Sequence, residues 1–267
     1  MTSEQPLVLF LLAHQDDECG CFFEIHRLVS RGDKVIVAYL TSGNLDGSSS
    51  PIRDAESVAV LKKLGVPKSN IFFLGTDARI PDGKLSHHLE AAFHSITDLI
   101  VKIGIPENLY FLAWEGGHQD HDAVHLIGVV LADHLGIIER CYQFPLYTGV
   151  NLPSVFFRMF VFFPENGEPK LTMIPWRQRI GFVKLCLQYP SQIKTWIGLF
   201  PFFLAHYVFS GTQILQRVSV KRVHQPPHTG KLLYERRGFY SYQRFAQDTC
   251  GFIRHLPATE VTMNLYG

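Results

Sequence analysis

The chain has 267 residues, 46% of them hydrophobic, enough to bury the core of one large globular domain, or of one domain with an added lobe. Its 25 Lys and Arg against 24 Asp and Glu give a formal net charge of +1, which leaves no electrostatic footprint for wrapping nucleic acid and implies no strongly acidic or basic partner. Five cysteines, odd in number and without paired zinc-knuckle spacing, favour reduced thiols in a cytosol over a disulfide framework, and no basic region precedes the first apolar run as a signal peptide requires.

In chain order, residues 7–13 are a continuous apolar run, the pattern of a strand buried on both faces, and residues 17–31 carry helical spacing through Phe22, Phe23, Ile25 and Leu28. A second strand is predicted over 34–40, a second helix over 53–64 closed by Gly65, and a third strand over 70–74. A third helix follows over 86–103 with Ser86 as its cap, then a fourth strand over 108–113, a fourth helix over 120–135 and a fifth strand over 140–147. Strict alternation of this kind specifies an α/β fold, Rossmann-like, with a mainly parallel sheet and helices on both faces. Beyond residue 150 the pattern changes. Residues 155–163 and 169–174, joined by PENGE, read as a β-hairpin, 177–217 as largely helical with breaks near Pro190 and Pro201, KLLYERRGF as a strand, and 242–256 as a last helix. Residues 1–150 are therefore expected to form the catalytic core, and 151–267 a smaller mixed α+β C-terminal lobe packed on it and shaping the substrate site.

In open α/β sheets, ligands bind beyond the carboxyl ends of the strands, where strand order reverses. The polar residues gather at those ends: HQDDE after the first strand, TSGNLDG after the second, and WEGGHQDHDAVH after the fourth. With strand order 3-2-1-4-5, strands one and four are neighbours, which brings His14, Asp16 and Asp17 to His118, Asp120 and His121. Two imidazoles and a carboxylate with one position left open is the arrangement of a catalytic zinc. His14 and Asp17, three apart on a turn entering a helix, can aim at one ion together with His121. Asp16 lies beside them as a general base, and His118 is placed to stabilise or protonate developing charge. Cys19 and Cys21 read as small buried thiols. His125, without the glutamate of a zincin motif, reads as no ligand, and His87, His88, His94 and His134 as surface or packing residues.

These residues resemble the LmbE-like, or PIG-L, de-N-acetylase family, whose hallmarks are A-H-P-D-D-E at the first strand end, R-x-x-E opening the second helix, and H-P-D-H after a later strand. Here they stand as Ala13-His14-Gln15-Asp16-Asp17-Glu18, Arg53 with Glu56, and His118-Gln119-Asp120-His121, in that order, over roughly the first 150 residues; both family prolines are glutamine. The resemblance implies that His14, Asp17 and His121 bind zinc, that Asp16 is the general base, that His118 stabilises the oxyanion or protonates the leaving amine, and that Asp120 tunes His118. It also implies that Arg53 contacts substrate and that Asn44 and Asp46 line the sugar site, although an ion pair with Glu56 and ordinary turn chemistry would account for these three. The implied activity is removal of acetyl from an N-acetylglucosamine-type sugar in a glycoconjugate.

Zn²⁺ and Fe²⁺ both suit the ligand set. The alternatives are an Mg²⁺-dependent phosphoryl-transfer enzyme, for which Asp16 and Asp17 suit a hard cation while the histidines do not, and a non-catalytic carbohydrate-binding protein. A Rossmann oxidoreductase would need G-x-G-x-x-G after the first strand, where this chain is acidic. Residues 196–209, WIGLFPFFLAHYVF, are apolar apart from His206 and too short to span a bilayer, which takes about 20 apolar residues; Pro201 is expected to break a continuous helix there. They read as a buried helix, or as a face resting on a membrane or gripping a lipid-linked amino sugar. The expected setting is cytoplasmic or peripheral to a membrane, and a homo-oligomer is compatible with the sequence.

Overall fold

The computed structural model of the chain describes residues 5–256. The elements in order are β1 (Leu7–Leu12), α1 (Phe22–Arg31), β2 (Lys34–Tyr39), α2 (Pro51–Lys63), β3 (Ile71–Phe72), α3 (Leu74–Asp77), α4 (Leu89–Ile103), β4 (Asn108–Leu112), α5 (Gln119–His134) and β5 (Cys141–Phe144). Then come β6 (Tyr147–Thr148), β7 (Arg158–Met159), β8 (Pro169–Met173), α6 (Trp176–Cys186), α7 (Ile193–Ala205), β9 (Thr212–Arg217), α8 (Leu233–Arg236) and α9 (Tyr242–Thr249).

One sheet runs β3-β2-β1-β4-β5-β9-β8, and β6 with β7 forms a second, two-stranded sheet. The first five strands pair in parallel, in the expected order, and β9 and β8 extend the sheet antiparallel. Order reverses between β1 and β4. Right-handed crossovers running outward from that point in opposite directions put α1 and α2 on one face and α4 and α5 on the other, and α4 packs on α5. The central strands are buried on both sides, from Val8 to Leu12 and from Leu109 to Leu112, which is why they read as unbroken apolar runs. On one face Phe10 stacks on Tyr110 (ring centroids 4.7 Å) and Tyr110 on Tyr142 (5.1 Å), in register across β1, β4 and β5. Arg217, paired with Tyr142 in β9, closes that row with its guanidinium 4.3 Å from the ring centroid.

Several elements depart from the sequence reading, each for a local reason. Residues 17–21 form a 3₁₀ turn before α1 begins. The helix expected from Ser86 starts at Leu89, because the Asp120 carboxylate accepts the N–H groups of Gly83 and Leu85 (2.6 and 3.0 Å) and draws that segment across to α5. Pro145 ends β5 early, and Tyr147 and Thr148 leave to pair with β7. The expected hairpin does not form: residues 158–159 pair with β6, and residues 169–173 pair with β9. The stretch 212–217 is a strand, not helix, with Gln213, Ile214, Leu215 and Gln216 all buried. KLLYERRGF holds a short helix, opened by Glu235 accepting the N–H of Leu232 (2.8 Å). Helix α7 passes through Pro201 unbroken. The carbonyl that Pro201 cannot serve belongs to Ile197, which is 70% exposed and open to water. Among the described residues no helix is long and apolar enough to cross a membrane.

Helix α5 lies close on the sheet. A Cβ at Gly128 would stand 2.6 Å from the ring of Phe111, a side chain with no exposure and no room to swing. Gly128→Ala is expected to destabilise the fold by about 1–3 kcal/mol. At Gly181, in exposed α6, an added Cβ meets nothing within 4 Å, so Gly181→Ala should stabilise by about 0.5–1 kcal/mol. Urea melts of the two variants should move in opposite directions; equal shifts would refute the close approach.

Candidate active site

At the end of β1, Asp17 turns back on its own chain: Oδ2 accepts the N–H groups of Ala13 (3.0 Å) and His14 (2.7 Å). The same oxygen lies 3.5 Å from His14 Nδ1, and Oδ1 lies 3.2 Å from His121 Nε2. His118 is the N-cap of α5, its Nδ1 accepting the N–H of Asp120 (3.2 Å), and His121 follows one turn later on the same side. His14, His118 and His121 each bring a ring nitrogen within 4.8 Å of the other two, and His14, Asp82 and Asp120 form a second such group. His14 Nε2 is 3.1 Å from Asp82 Oδ1 and 3.1 Å from Asp120 Oδ2. The sequence motifs from β1 and β4 thus meet, as the parallel order requires.

Asp16 has φ 147°, a strained value for a residue with a side chain. Its N–H is held by Glu18 Oε2 (3.1 Å), and its carboxylate faces Arg53 Nη2 at 3.8 Å. Arg53 does not pair with Glu56. Its Nη1 donates to the Gly43 carbonyl (2.5 Å) and stands 3.7 Å from Asp82 Oδ2, while Glu56 accepts the N–H of Ser191 (2.8 Å). Gln15, at the first family proline position, donates to Asp54 Oδ1 (2.9 Å) and so ties the β1 loop to α2.

These residues line a cavity of about 220 Å³. Its polar wall is His14, Asp16, Asp17, Arg53, Asp82 and His118; its other wall comes from the second half of the chain, through Met159, Trp196, Leu199, Arg237 and Phe239 beside Tyr147. Asn44 and Asp46 do not reach it. The amide of Asn44 donates to Ser48 and Ser49, and Asp46 Oδ1 accepts the N–H of Ser48 (2.9 Å), so both side chains close their own turn. The Asn44 carbonyl does accept the N–H of Asp82 (2.9 Å) and so sets that residue. The Asp120 carboxylate bonds Gly83, Leu85 and His14 and makes no bond to the His118 ring; it acts on that ring through its charge. His125 bonds the Leu112 carbonyl (3.0 Å) inside the core, and Cys19 and Cys21 are buried free thiols.

Burial and the neighbouring Asp17 and Glu18 outweigh Arg53 and push Asp16 up to about 8. Burial, with His14 and His121 nearby, holds His118 down at about 4, so its ring is neutral near pH 7. Burial alone would lower His14, but Asp82, Asp17 and Asp120 outweigh it and hold the imidazole well above its ordinary value. Burial would likewise raise Asp17, yet His121 and His14 keep it well below the usual carboxylate range.

Two participants were not singled out from the sequence. Asp82 sits in Ile-Pro-Asp-Gly after the third strand, on the same edge as the other polar loops, but Pro-Asp-Gly reads as turn chemistry. Glu115 lies 4.0 Å from His121 Nδ1 and accepts the N–H groups of Leu146 and Tyr147; the signal the sequence holds for it is its place in WEGGHQDH, three residues before His118.

Residues 9–132 match the family described as PIG-L, GlcNAc-PI de-N-acetylase. No curated protein matches the chain in sequence. Among solved structures, a triple mutant of a deacetylase involved in the teicoplanin biosynthetic pathway aligns with a TM-score of 0.59 at 18% identity, over 80% of this chain and 98% of its own. The zinc-inhibited form of the teicoplanin deacetylase Orf2 gives 0.58 at 15% identity, over 80% and 98%. The N,N'-diacetylchitobiose deacetylase from Pyrococcus horikoshii gives 0.50 at 18% identity, over 79% and 84%. At these identities the structures speak for a shared fold. Residues 9–132, which supply His14, Asp16, Asp17, Arg53, Asp82, His118, Asp120 and His121, are thus the segment that matches the PIG-L, or LmbE-like, family.

Proposed function

We propose that the protein is a metal-dependent N-deacetylase that hydrolyses the acetamide of an N-acetylglucosamine-type sugar in a glycoconjugate. The observation that carries this reading is the meeting of His14 and Asp17, after β1, with His118 and His121, at the start of α5, beside a cavity that His14, Asp16, Asp17 and His118 line. The donor set fits a divalent cation: Asp17, Asp82 and Asp120 crowd His14 with negative charge, and the imidazole and carboxylate donors suit Zn²⁺ or Fe²⁺ better than Mg²⁺. In this reading His14, Asp17 and His121 hold the ion, whose contribution when bound is Lewis acidity toward water and the amide carbonyl.

The chain's own groups supply the proton chemistry. Asp16, whose carboxylate faces the Arg53 guanidinium at 3.8 Å and would also face the bound cation, takes a proton from the attacking water as its oxygen bonds the acetyl carbon. His118 accepts the Asp120 N–H at Nδ1, so its neutral ring carries the proton on Nε2 and donates a hydrogen bond to the developing oxyanion. Protonated Asp16 then returns its proton to the sugar nitrogen as the C–N bond breaks, leaving acetate and a free amine. Arg53 and Asp82 present a cation and an anion to sugar hydroxyls. The cavity of about 220 Å³, below the roughly 300–1,000 Å³ of drug-sized sites, suits one sugar ring with its acetamide.

The residues beyond 150 shape the substrate's other end in this reading; residues 257–267 of that segment lie outside the described residues. Its apolar lining of Met159, Trp196, Leu199 and Phe239 supports an amphiphilic, lipid-linked amino sugar, met in a cytoplasmic or membrane-peripheral setting. The reduced thiols support the cytosolic side. Arg158, Phe202, Ala205 and His206 line an adjoining apolar groove with Phe156 and Phe157, room for an extended tail.

The triple variant His14→Ala, Asp17→Ala, His121→Ala should lose bound metal in elemental analysis of the purified protein; retention of one zinc per chain would overturn the ligand assignment. Asp16→Asn should keep its metal and turn over roughly 10²- to 10⁴-fold more slowly in an acetate-release assay, and normal turnover of the metal-replete variant would place the base elsewhere. His118→Ala should lower kcat more than it raises KM; a change confined to KM would make it a binding residue.

A further inference from the structure

Exposed apolar side chains are concentrated in one part of the molecule. Of the 18 large apolar side chains that stand exposed among the described residues, 13 lie within residues 155–209. They include Leu171 and Met173 on the edge strand β8, Trp176 and Ile180 on α6, and Ile193, Ile197 and Leu204 on α7. At about 100° per residue, Ile193, Ile197, Leu204 and Val208 fall within a sector of roughly 60°. Trp196, Phe203 and Tyr207, all buried, fill the neighbouring sector against the core. Helix α7 is thus apolar toward the core and apolar toward solvent, although surface helices ordinarily turn a polar face outward. Helix α6 packs on α7, and Arg179 joins them by donating to the carbonyls of Ile174 (2.7 Å) and Tyr207 (3.2 Å), so these elements make one surface.

Charge is concentrated there too. From residue 169 to residue 234 the sequence has no aspartate or glutamate and nine lysines and arginines, leaving 16 basic against 24 acidic residues in the rest of the chain. Lys170, Arg177 and Lys184 are exposed on β8 and α6.

We propose that the face built by β8, α6 and α7 is a docking surface for an anionic lipid bilayer. The exposed sector of α7 enters the boundary between headgroups and acyl chains, and Arg177 and Lys184 of α6 meet lipid phosphates. A second copy of this chain fits the face poorly, because a two-fold contact would set a surface without carboxylates against itself, cation against cation. The opposite flank of α7 gives Thr195, Trp196 and Leu199 to the catalytic cavity, so a docked molecule holds its cavity at the lipid surface, where an amphiphilic substrate resides. That consequence rests on the deacetylase reading; the docking does not.

The test is co-sedimentation of the full chain with vesicles of phosphatidylcholine alone and of phosphatidylcholine with phosphatidylglycerol. Binding is expected to the second and to fall as salt is raised. Arg177→Gln and Lys184→Gln should each weaken it about fivefold, and Ile197→Glu with Val208→Glu should abolish it. None of these four residues lines the cavity, so turnover of a water-soluble N-acetylglucosaminyl conjugate should be unchanged. Binding to neither vesicle, equal binding to both, or a dimer in light scattering that Ile197→Glu dissociates would overturn the proposal. Vesicle binding by a protein inert toward every N-acetylated sugar would overturn the deacetylase reading and leave the docking standing.

Discussion

Asp17 accepts the N–H groups of Ala13 and His14 on one oxygen and faces His121 with the other, so a single buried carboxylate joins the end of β1 to the first turn of α5. Burying such a charge costs several kcal/mol unless hydrogen bonds and opposite charge meet it, and both are present. Asp120 does the equivalent from the other side, holding Gly83 and Leu85 through their N–H groups while reaching His14. Loops that follow three different strands are therefore cross-tied by carboxylates whose spare lone pairs converge on imidazoles. Parallel pairing of β1 with β4 makes this geometry available, since it puts both loops on one edge with no chain between them.

A second set of carboxylates ties the later part of the chain to the same loops. Glu18 accepts the Tyr189 hydroxyl (2.9 Å), Glu56 the N–H of Ser191, and Glu115 the N–H groups of Leu146 and Tyr147. Glu18 and Glu115 sit in the loops that carry the site histidines, and Glu56 lies one helical turn from Arg53. The same turn that supplies Tyr189 and Ser191 leads directly into α7, whose Trp196 stacks on Tyr189 (5.8 Å, 10° between rings). The cavity's apolar wall is thus fixed to its polar wall by hydrogen bonds to buried carboxyl groups, and a shift of α7 would be felt at Glu18, which also holds the Asp16 N–H.

What could be read from the sequence follows from the same physics. Strands buried on both faces leave an unmistakable apolar run, and parallel alternation restricts strand order enough to bring His14 beside His121 from a hundred residues away. The second half offers no such pattern. Gln213 and Gln216 of β9 are buried polar residues that break a strand's apolar signature, yet each amide NH₂ finds an acceptor in place, Gln213 in the Gly20 carbonyl and Gln216 in that of Phe163. Leu232 to Tyr234 are buried by contacts with the Gly116 loop, where Leu233 N–H meets the Gly116 carbonyl (2.9 Å), and no local period encodes that. Asp82 belongs to the same class: its turn is written in Pro81 and Gly83, while its place beside His14 depends on Asp120 and Asn44, both distant in sequence.

Asp16 and His118 complete the physical picture, because their surroundings move them in opposite directions. Both are partly withdrawn from water, and desolvation penalises whichever form carries charge: it raises the carboxyl and lowers the imidazole. Asp17 and Glu18 add to the first shift, and His14 and His121 to the second. A carboxyl raised and an imidazole lowered on the same polar wall of one small cavity are two groups whose surroundings drive their pKa values apart, the pattern that marks acid and base partners. The positive φ of Asp16 is the backbone cost of holding that carboxyl between Arg53 and the cavity, and the bond from Glu18 to its N–H offsets part of that cost locally.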